Sequence, residues 1–209
     1  MIRLLLVRHA STDAASSFAF PDDEPLDARG RESAAILAKA LPRGCEAICS
    51  PALRCRQTAG AAGLRPRIEP LVRECDFGRW AGRTLAEIEP AEAGEWMRDP
   101  DRAPHGGETL RDFAARVARW LEAQIDPPTR LKGAAEPAAR AHRASRPRDE
   151  VARCRIVITH GGVVRAAVVH ALGAPLDAFW RLDVAPLSVT ELTGRAAGGW
   201  TLKRIGAAA

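Results

Sequence analysis

The sequence predicts an α/β protein built on a central, largely parallel sheet. Two observations carry that reading. Ile2–Val7 and Arg155–Thr159 are continuous apolar runs, the pattern of strands buried on both faces. Each run leads directly into a histidine, His9 or His160, and then into a helix-like segment. In open α/β sheets chemistry gathers beyond the C-terminal ends of the strands. The pair therefore marks where a site is expected.

The elements follow in order. After the first strand, helical periodicity runs through Ala34, Leu37, Ala38 and Leu41, predicting a helix over 29–41 that Pro42 and Gly44 end. Ala47–Cys49 is a short strand. Pro51, suited to a first helical turn, opens a helix through Ala61. Residues 63–108 are rich in Gly, Pro, Trp and Glu and read as a cap over the sheet. From Thr109 an amphipathic helix sets Leu110, Phe113, Ala114, Val117 and Leu121 on one face. The cap-like region thus spans about 63–125. Residues 127–150 hold Ala, Arg and Pro with almost no large apolar side chain, and read as a solvated insertion with one short helix near Ala138–Ala144. Val163–Leu172 is a helix stopped by Gly173, and Leu187–Leu192 and Trp200–Ile205 close the sheet. The 209 residues fit a single domain, 1–209, with one sizeable core.

Composition narrows the function. The chain is 46% hydrophobic and 27% charged, ordinary for a globular protein. A net charge of +5 favours anionic partners. No basic helix interleaved with aromatics is present, so nucleic acid is not an expected partner. No apolar run approaches a membrane span, and no leader pattern precedes the first strand, so no membrane partner is expected either. Five cysteines form an odd set without a Cys-x-x-Cys pair. The reading is against a disulfide framework or zinc site and for a reducing cytoplasm.

Phosphorus chemistry suits the two histidines. A neutral imidazole is a competent nucleophile, and a covalent intermediate divides one hard displacement into two easier ones. The transferring phosphoryl group needs fixed cations around it. Arg8 adjoins His9, and Arg54 lies at the next strand-to-helix crossing. Strand alternation sends Arg8 and His9 to opposite faces. They converge only if the strand ends there and the backbone turns at Ala10-Ser11-Thr12. Taken alone, His9 is equally readable as a structural histidine.

The set as a whole is more specific. Leu6-Val7-Arg8-His9-Ala10-Ser11-Thr12 resembles the Arg-His-Gly signature of the histidine phosphatase superfamily, also called phosphoglycerate-mutase-like. The stretches 50–59, 71–82 and 104–109, and Thr159-His160-Gly161-Gly162-Val163-Val164-Arg165, resemble its later motifs in the right order. The resemblance implies a three-layer α/β/α sandwich with a mostly parallel sheet and a cap over the C-terminal strand ends. It implies a metal-independent phosphomonoester hydrolase without cofactor, acting on a small phosphorylated metabolite. His9 would be the nucleophile. Arg8, Arg54 and His160 would bind phosphoryl oxygens, with Thr12 and Ser50 near the phosphate. Glu74 would be the acid and then the base, and the turn after Gly161-Gly162 would add N–H donors. A homodimer is compatible with it.

The chain departs from the signature at Ala10, where Gly is usual, so a methyl group is expected to narrow the pocket floor. Glu108 is expected to meet the dipole of the following helix, Asp76 to be solvated or bonded locally, Cys75 to be a small buried thiol, and His105 to be exposed. His170 and His142 are expected to take no part. The chain contains no Tyr and no Asn, so the sugar-acid clamp of cofactor-dependent mutases cannot form, and hydrolysis is favoured over a phosphoglycerate mutase. Residues 108–117 and 172–180 resemble the α-ribazole phosphatase branch of cobalamin synthesis. A broad-specificity sugar or nucleotide phosphatase is the alternative, and a non-catalytic phosphate-binding regulatory module the alternative of another class.

Overall fold

A computed structural model describes residues 1–125 and 153–207. In order, it contains β1 (Ile2–Arg8), α1 (Asp13–Ser16), α2 (Ala28–Leu37), β2 (Glu46–Cys49), α3 (Leu53–Ala61) and β3 (Arg67–Ile68). Then come α4 (Pro90–Arg98), α5 (Leu110–Ile125), β4 (Arg153–Thr159), α6 (Gly161–Leu172), β5 (Val189–Arg195) and β6 (Gly199–Ala207). The strands form one sheet in the order β3-β2-β4-β1-β5-β6. The first four in that order pair in parallel, while β5 and β6 add an antiparallel edge.

Alternation along β1 explains the layers. Leu4 and Leu6 face one side, where they pack with Phe113, Val117 and Leu121 of α5 and Val163, Ala167 and Val168 of α6. Leu5 and Val7 face the other, with Leu37 of α2 and Cys55 and Ala59 of α3. β4 splits likewise, Val157 to the first side and Ile156 and Ile158 to the second. Each such fully buried aliphatic side chain contributes about 1.5–3 kcal/mol. The two faces are thereby covered, giving the α/β/α sandwich that was expected.

The differences from the sequence reading have physical causes. Pro51 does not start α3. Ala52 is its N-cap, and the helix begins at Leu53. α2 ends at Leu37, since Lys39 and Ala40 close onto the carbonyls of Ile36 and Leu37 in tight turns. α6 starts at Gly161 immediately after His160 and stops as expected at Gly173, whose φ of 59° suits only glycine well. α1, β3 and α4 were not foreseen, being too short or too mixed in polarity to show a period. α4 lies in the region read as a cap. Its Trp96 joins Trp80 and Ile88 in a separate apolar cluster, against which Phe20, Phe77 and Trp180 pack.

The cysteine reading is corrected. Cys45 and Cys154 are disulfide-bonded, with Cα atoms 4.7 Å apart, where β2 and β4 run side by side. Their separation of 109 residues hid the pair from any local pattern. The remaining thiols, Cys49, Cys55 and Cys75, are buried. The insertion read over 127–150, with its short helix and His142, lies outside the described residues. Among the described residues no helix is long and apolar enough to cross a membrane.

Candidate active site

β1 ends at Arg8, and the chain turns so that Arg8 and His9 line one cleft. The cleft has a volume of about 170 Å³ and opens at the C-terminal ends of β1 and β4. Thr12, Arg54, Glu74, Gly161 and Gly162 also line it. The convergence that strand alternation made conditional is thus present.

His9 is 6% exposed, and both ring nitrogens are engaged. Nδ1 lies 2.7 Å from the carbonyl of Ala10, so it carries the proton and donates. Nε2 accepts from Arg54 Nε at 3.2 Å. The backbone thereby selects the tautomer and leaves the Nε2 lone pair directed toward Arg54. Burial, then the guanidinium of Arg54, lowers the imidazole pKa to about 3. His9 is neutral near pH 7.

Arg54, at the start of α3, holds both imidazoles. Its Nη2 lies 3.1 Å from His160 Nδ1, which must accept because guanidinium only donates. His160 Nε2 then faces Ser50 Oγ at 2.7 Å. Burial, followed by Arg54, pushes the His160 pKa well below the ordinary value. The two rings meet edge to face, 5.3 Å between centroids. Ser50 and His160 do not line the cleft; both are fully buried behind Arg54. Ser50, expected near the phosphate, is the hydrogen-bond partner of His160.

Arg8 Nη1 donates to the carbonyl of Val184 at 2.6 Å, while its Nε is buried without a partner. Burial lowers its pKa, with the charge of Glu74 opposing. Thr12 lines the cleft as expected, but its hydroxyl is committed. It accepts from Ala15 N–H, capping α1, and donates to Glu24 Oε1 at 3.2 Å.

Glu74 reaches the cleft opposite Arg54. Its Oε2 accepts from Gly162 N–H at 3.3 Å and its Oε1 from Cys75 N–H at 3.1 Å. A Cβ on residue 162 would overlap Glu74 Oε1, so any larger residue there would push the carboxylate out of this position. Arg116 of α5 fixes the segment from below, donating to the carbonyls of Leu71, Arg73 and Glu74. Glu108 grips Arg116 at 2.7 and 2.9 Å. Glu108 stands just before α5, where it was expected, and its carboxylate is in addition paired with Arg116.

Other expectations resolve simply. The Ala10 methyl packs with Leu26 and Ala34 in the core and does not line the cleft, so it narrows nothing. His105 is corrected from exposed to 1% exposed, ringed by Phe77, Trp80 and Trp96. Asp76 accepts from Gly78 N–H, a local bond as expected, and Cys75 is buried. His170 pairs with Glu122 on the helical surface, away from the cleft. Among the described residues no cluster of His, Cys, Asp and Glu is arranged to hold a metal.

The sequence reading missed two charged lining residues, Glu24 and Arg165, and the small apolar wall of Ala15, Ala19 and Pro21. Arg165 follows Gly161 by one helical turn, a signal present in the last motif. Glu24 sits in a loop without periodicity and gave none.

A parallel-sheet sandwich with two imidazoles and two arginines at its strand ends defines a protein built around a small anion. The chain belongs to the histidine phosphatase superfamily, branch 1, whose family model matches residues 4–208. Glucosyl-3-phosphoglycerate phosphatase of Mycobacterium tuberculosis is 30% identical over 209 residues, covering 94% of this chain and 87% of its own. The solved structure of a mycobacterial enzyme of that name aligns with a TM-score of 0.78 at 26% identity over the full length of both chains. Phosphoserine phosphatase 1 of Hydrogenobacter thermophilus is 27% identical, covering 93% and 89%. A putative α-ribazole-5'-P phosphatase from Escherichia coli aligns with a TM-score of 0.76 at 23% identity, covering 100% and 98%, a likeness of fold alone. The chain is a phosphatase of this superfamily.

Proposed function

We propose that the chain hydrolyses small phosphomonoesters through a phosphohistidine on His9, without metal or cofactor. The observation that carries the reading is the fixed tautomer of His9. Ala10 holds the proton on Nδ1, and the Nε2 lone pair faces Arg54 Nε in the cleft lined by Arg8, Arg54 and Glu74, to be released when Arg54 turns to a phosphoryl oxygen.

In the first step Nε2 attacks phosphorus and the P–O ester bond breaks. The departing oxygen takes a proton from Glu74 in its acid form. The phosphorylated ring keeps its Nδ1 proton against the Ala10 carbonyl, which offsets the positive charge the ring gains. Arg8 and Arg54 neutralise the equatorial oxygens. His160 is held behind Arg54. A phosphoryl group competes for Arg54 Nη2 through a charge-assisted bond, and the freed His160 Nδ1 must first take up a proton before it can donate to a phosphoryl oxygen. In the second step the Glu74 carboxylate takes a proton from water. The hydroxide attacks phosphorus, the P–N bond breaks, and phosphate leaves with Glu74 and His9 back in their starting forms.

A small leaving group fits the cleft. α-Ribazole phosphate is supported by a neighbour whose likeness is of fold alone. The relatives named above that are nearer in sequence bear the names of glucosyl-3-phosphoglycerate and phosphoserine, both phosphate esters that carry a carboxylate, the first on a glycerate bearing a sugar. A phosphorylated hydroxy acid is therefore the favoured substrate class. Cytoplasmic residence forms no part of the proposal, because Cys45–Cys154 removes the argument from cysteine usage.

The test is turnover of an aryl phosphate and a phosphomonoester panel by protein dialysed against a strong chelator. Turnover that survives chelation is expected. Loss of activity restored by magnesium or zinc contradicts the metal-free mechanism, and no turnover of any ester contradicts the hydrolase itself.

A further inference from the structure

The charged groups lining the cleft are nearly all committed. Arg8 holds the Val184 carbonyl. Arg54 holds both imidazoles and faces Glu24 at 3.5 Å. Glu24 accepts from Asp22 N–H and from Thr12, and Glu74 from Gly162 and Cys75 N–H. Arg8 Nε is also buried without a partner, but Arg165 is the lining cation whose whole guanidinium is uncommitted among the described residues. No hydrogen bond or ion pair engages its guanidinium among the described residues, and its Nε is buried without a partner. The ring of Phe179 lies under it, 5.6 Å from centroid to Cζ. Phe179 itself is 4% exposed and packed into the main core, so this support is fixed.

Geometry says what this cation faces. α6 opens at Gly161, on the floor of the cleft, and Arg165 follows one turn, about 5.4 Å, along the axis. Residues four apart share a helix face, and side chains lean toward the helix N-terminus. Arg165 therefore leans back over Gly161 into the same cleft, which it lines. A phosphoryl group at His9 is served by Arg8 and Arg54. A third arginine without a partner, one turn away on a rigid helix, matches a second anion on the same small molecule. A planar guanidinium takes a carboxylate through paired N–H donors.

We propose that Arg165 is the specificity residue of the cleft and binds a carboxylate on the leaving group, close to the phosphate ester. The proposal rests on the hydrolase reading above and adds to it the residue that selects the substrate class. The acid is held through the ester oxygen and a short carbon chain, with phosphorus at His9 and the carboxylate at Arg165. Esters without that carboxylate leave the guanidinium unpaired, and a site built to hydrogen-bond a group discriminates against analogues that lack it.

The experiment uses matched pairs, phosphoserine against phosphoethanolamine and 3-phosphoglycerate against glycerol 3-phosphate, with an aryl phosphate as reference. In the wild type, kcat/KM is expected to favour the acid of at least one pair by about tenfold or more, the scale of a charge-assisted bond. In Arg165→Gln and Arg165→Met that preference collapses toward unity, while Arg165→Lys retains part of it. Met keeps apolar packing on Phe179, and a thermal melt of each variant confirms folding. Wild-type indifference to the carboxylate, a preference that survives in the variants, or equal losses with acid and aryl esters overturns the proposal. Aryl phosphate turnover without turnover of either acid also overturns it while leaving the hydrolase reading intact. Absence of all turnover strikes the hydrolase reading instead.

Discussion

Glu74 and Gly162 occupy each other's space. The carboxylate lies where a side chain at 162 would stand, and it takes the Gly162 N–H at 3.3 Å. The proposed acid–base group is thus seated on the first turn of the helix that follows His160. Phe113 closes the remaining room, 3.2 Å from where a Cβ would be.

Gly162→Ala therefore displaces Glu74 while leaving His9 and Arg54 untouched. A misplaced general acid costs on the order of 10²-fold. That loss is expected with alkyl phosphates. Activated aryl phosphates, whose leaving oxygen needs no proton, lose much less in the phosphorylation burst. Equal losses in that step would count against the proton-transfer role of Glu74.

Arg116 acts on the same carboxylate through the backbone. It is 5% exposed, paired with Glu108, and satisfies three carbonyls around Glu74. Removing one member of a buried pair costs about 3–5 kcal/mol. Arg116→Met is expected to lower stability by about that amount in denaturant melts, because Glu108 and the carbonyls lose their partner. Glu108→Gln keeps hydrogen-bonding capacity and costs less. A change below about 1 kcal/mol in Arg116→Met would show that the segment holds itself in place.

The buried histidines set an acid dependence. His9 has its pKa lowered to about 3, against 6.5 in the unfolded chain, and His160 is lowered as well. Between these values the unfolded chain binds protons that the folded chain does not. Stability therefore rises with pH across that window and is lost as pH falls from about 6.5 toward 3, by about 1.4 kcal/mol per pH unit for His9, with His160 acting in the same direction. His9→Gln should flatten the slope by about one proton. The same shift keeps the nucleophile deprotonated, so kcat/KM, corrected for substrate ionisation, should show no loss near pH 6.5 from His9. A folded His9→Gln variant with an unchanged stability slope would contradict the neutral imidazole.

Much of this was legible in the sequence. β1 and β4 announced themselves because strands buried on both faces need unbroken apolar runs. The residues at their ends, Arg8, His9 and His160, followed from them. α5 was legible through its apolar stripe, and Arg54 and Glu74 through the motifs that carry them. What was hidden depends on distance in the chain. Nothing local joins Cys45 to Cys154, or Ser50 to His160. The wall of the cleft at Glu24 comes from a loop pinned by side-chain bonds, such as Asp23 to Leu53 N–H and Gln57 to Leu26 N–H, which leave no period. His105 looked exposed because its own neighbours are Pro and Gly. Its aromatic surroundings are assembled by the cap from Phe77, Trp80 and Trp96.

The central claim is that His9 Nε2 carries the phosphoryl group. The direct measurement is rapid quenching of the protein during turnover of a ³²P-labelled phosphomonoester, followed by peptide mapping. The account predicts label that is stable in base and labile in acid, located on the peptide containing His9, and absent from a folded His9→Ala variant whose turnover is nearly abolished. Label on another residue, or near-normal turnover by His9→Ala, would contradict it.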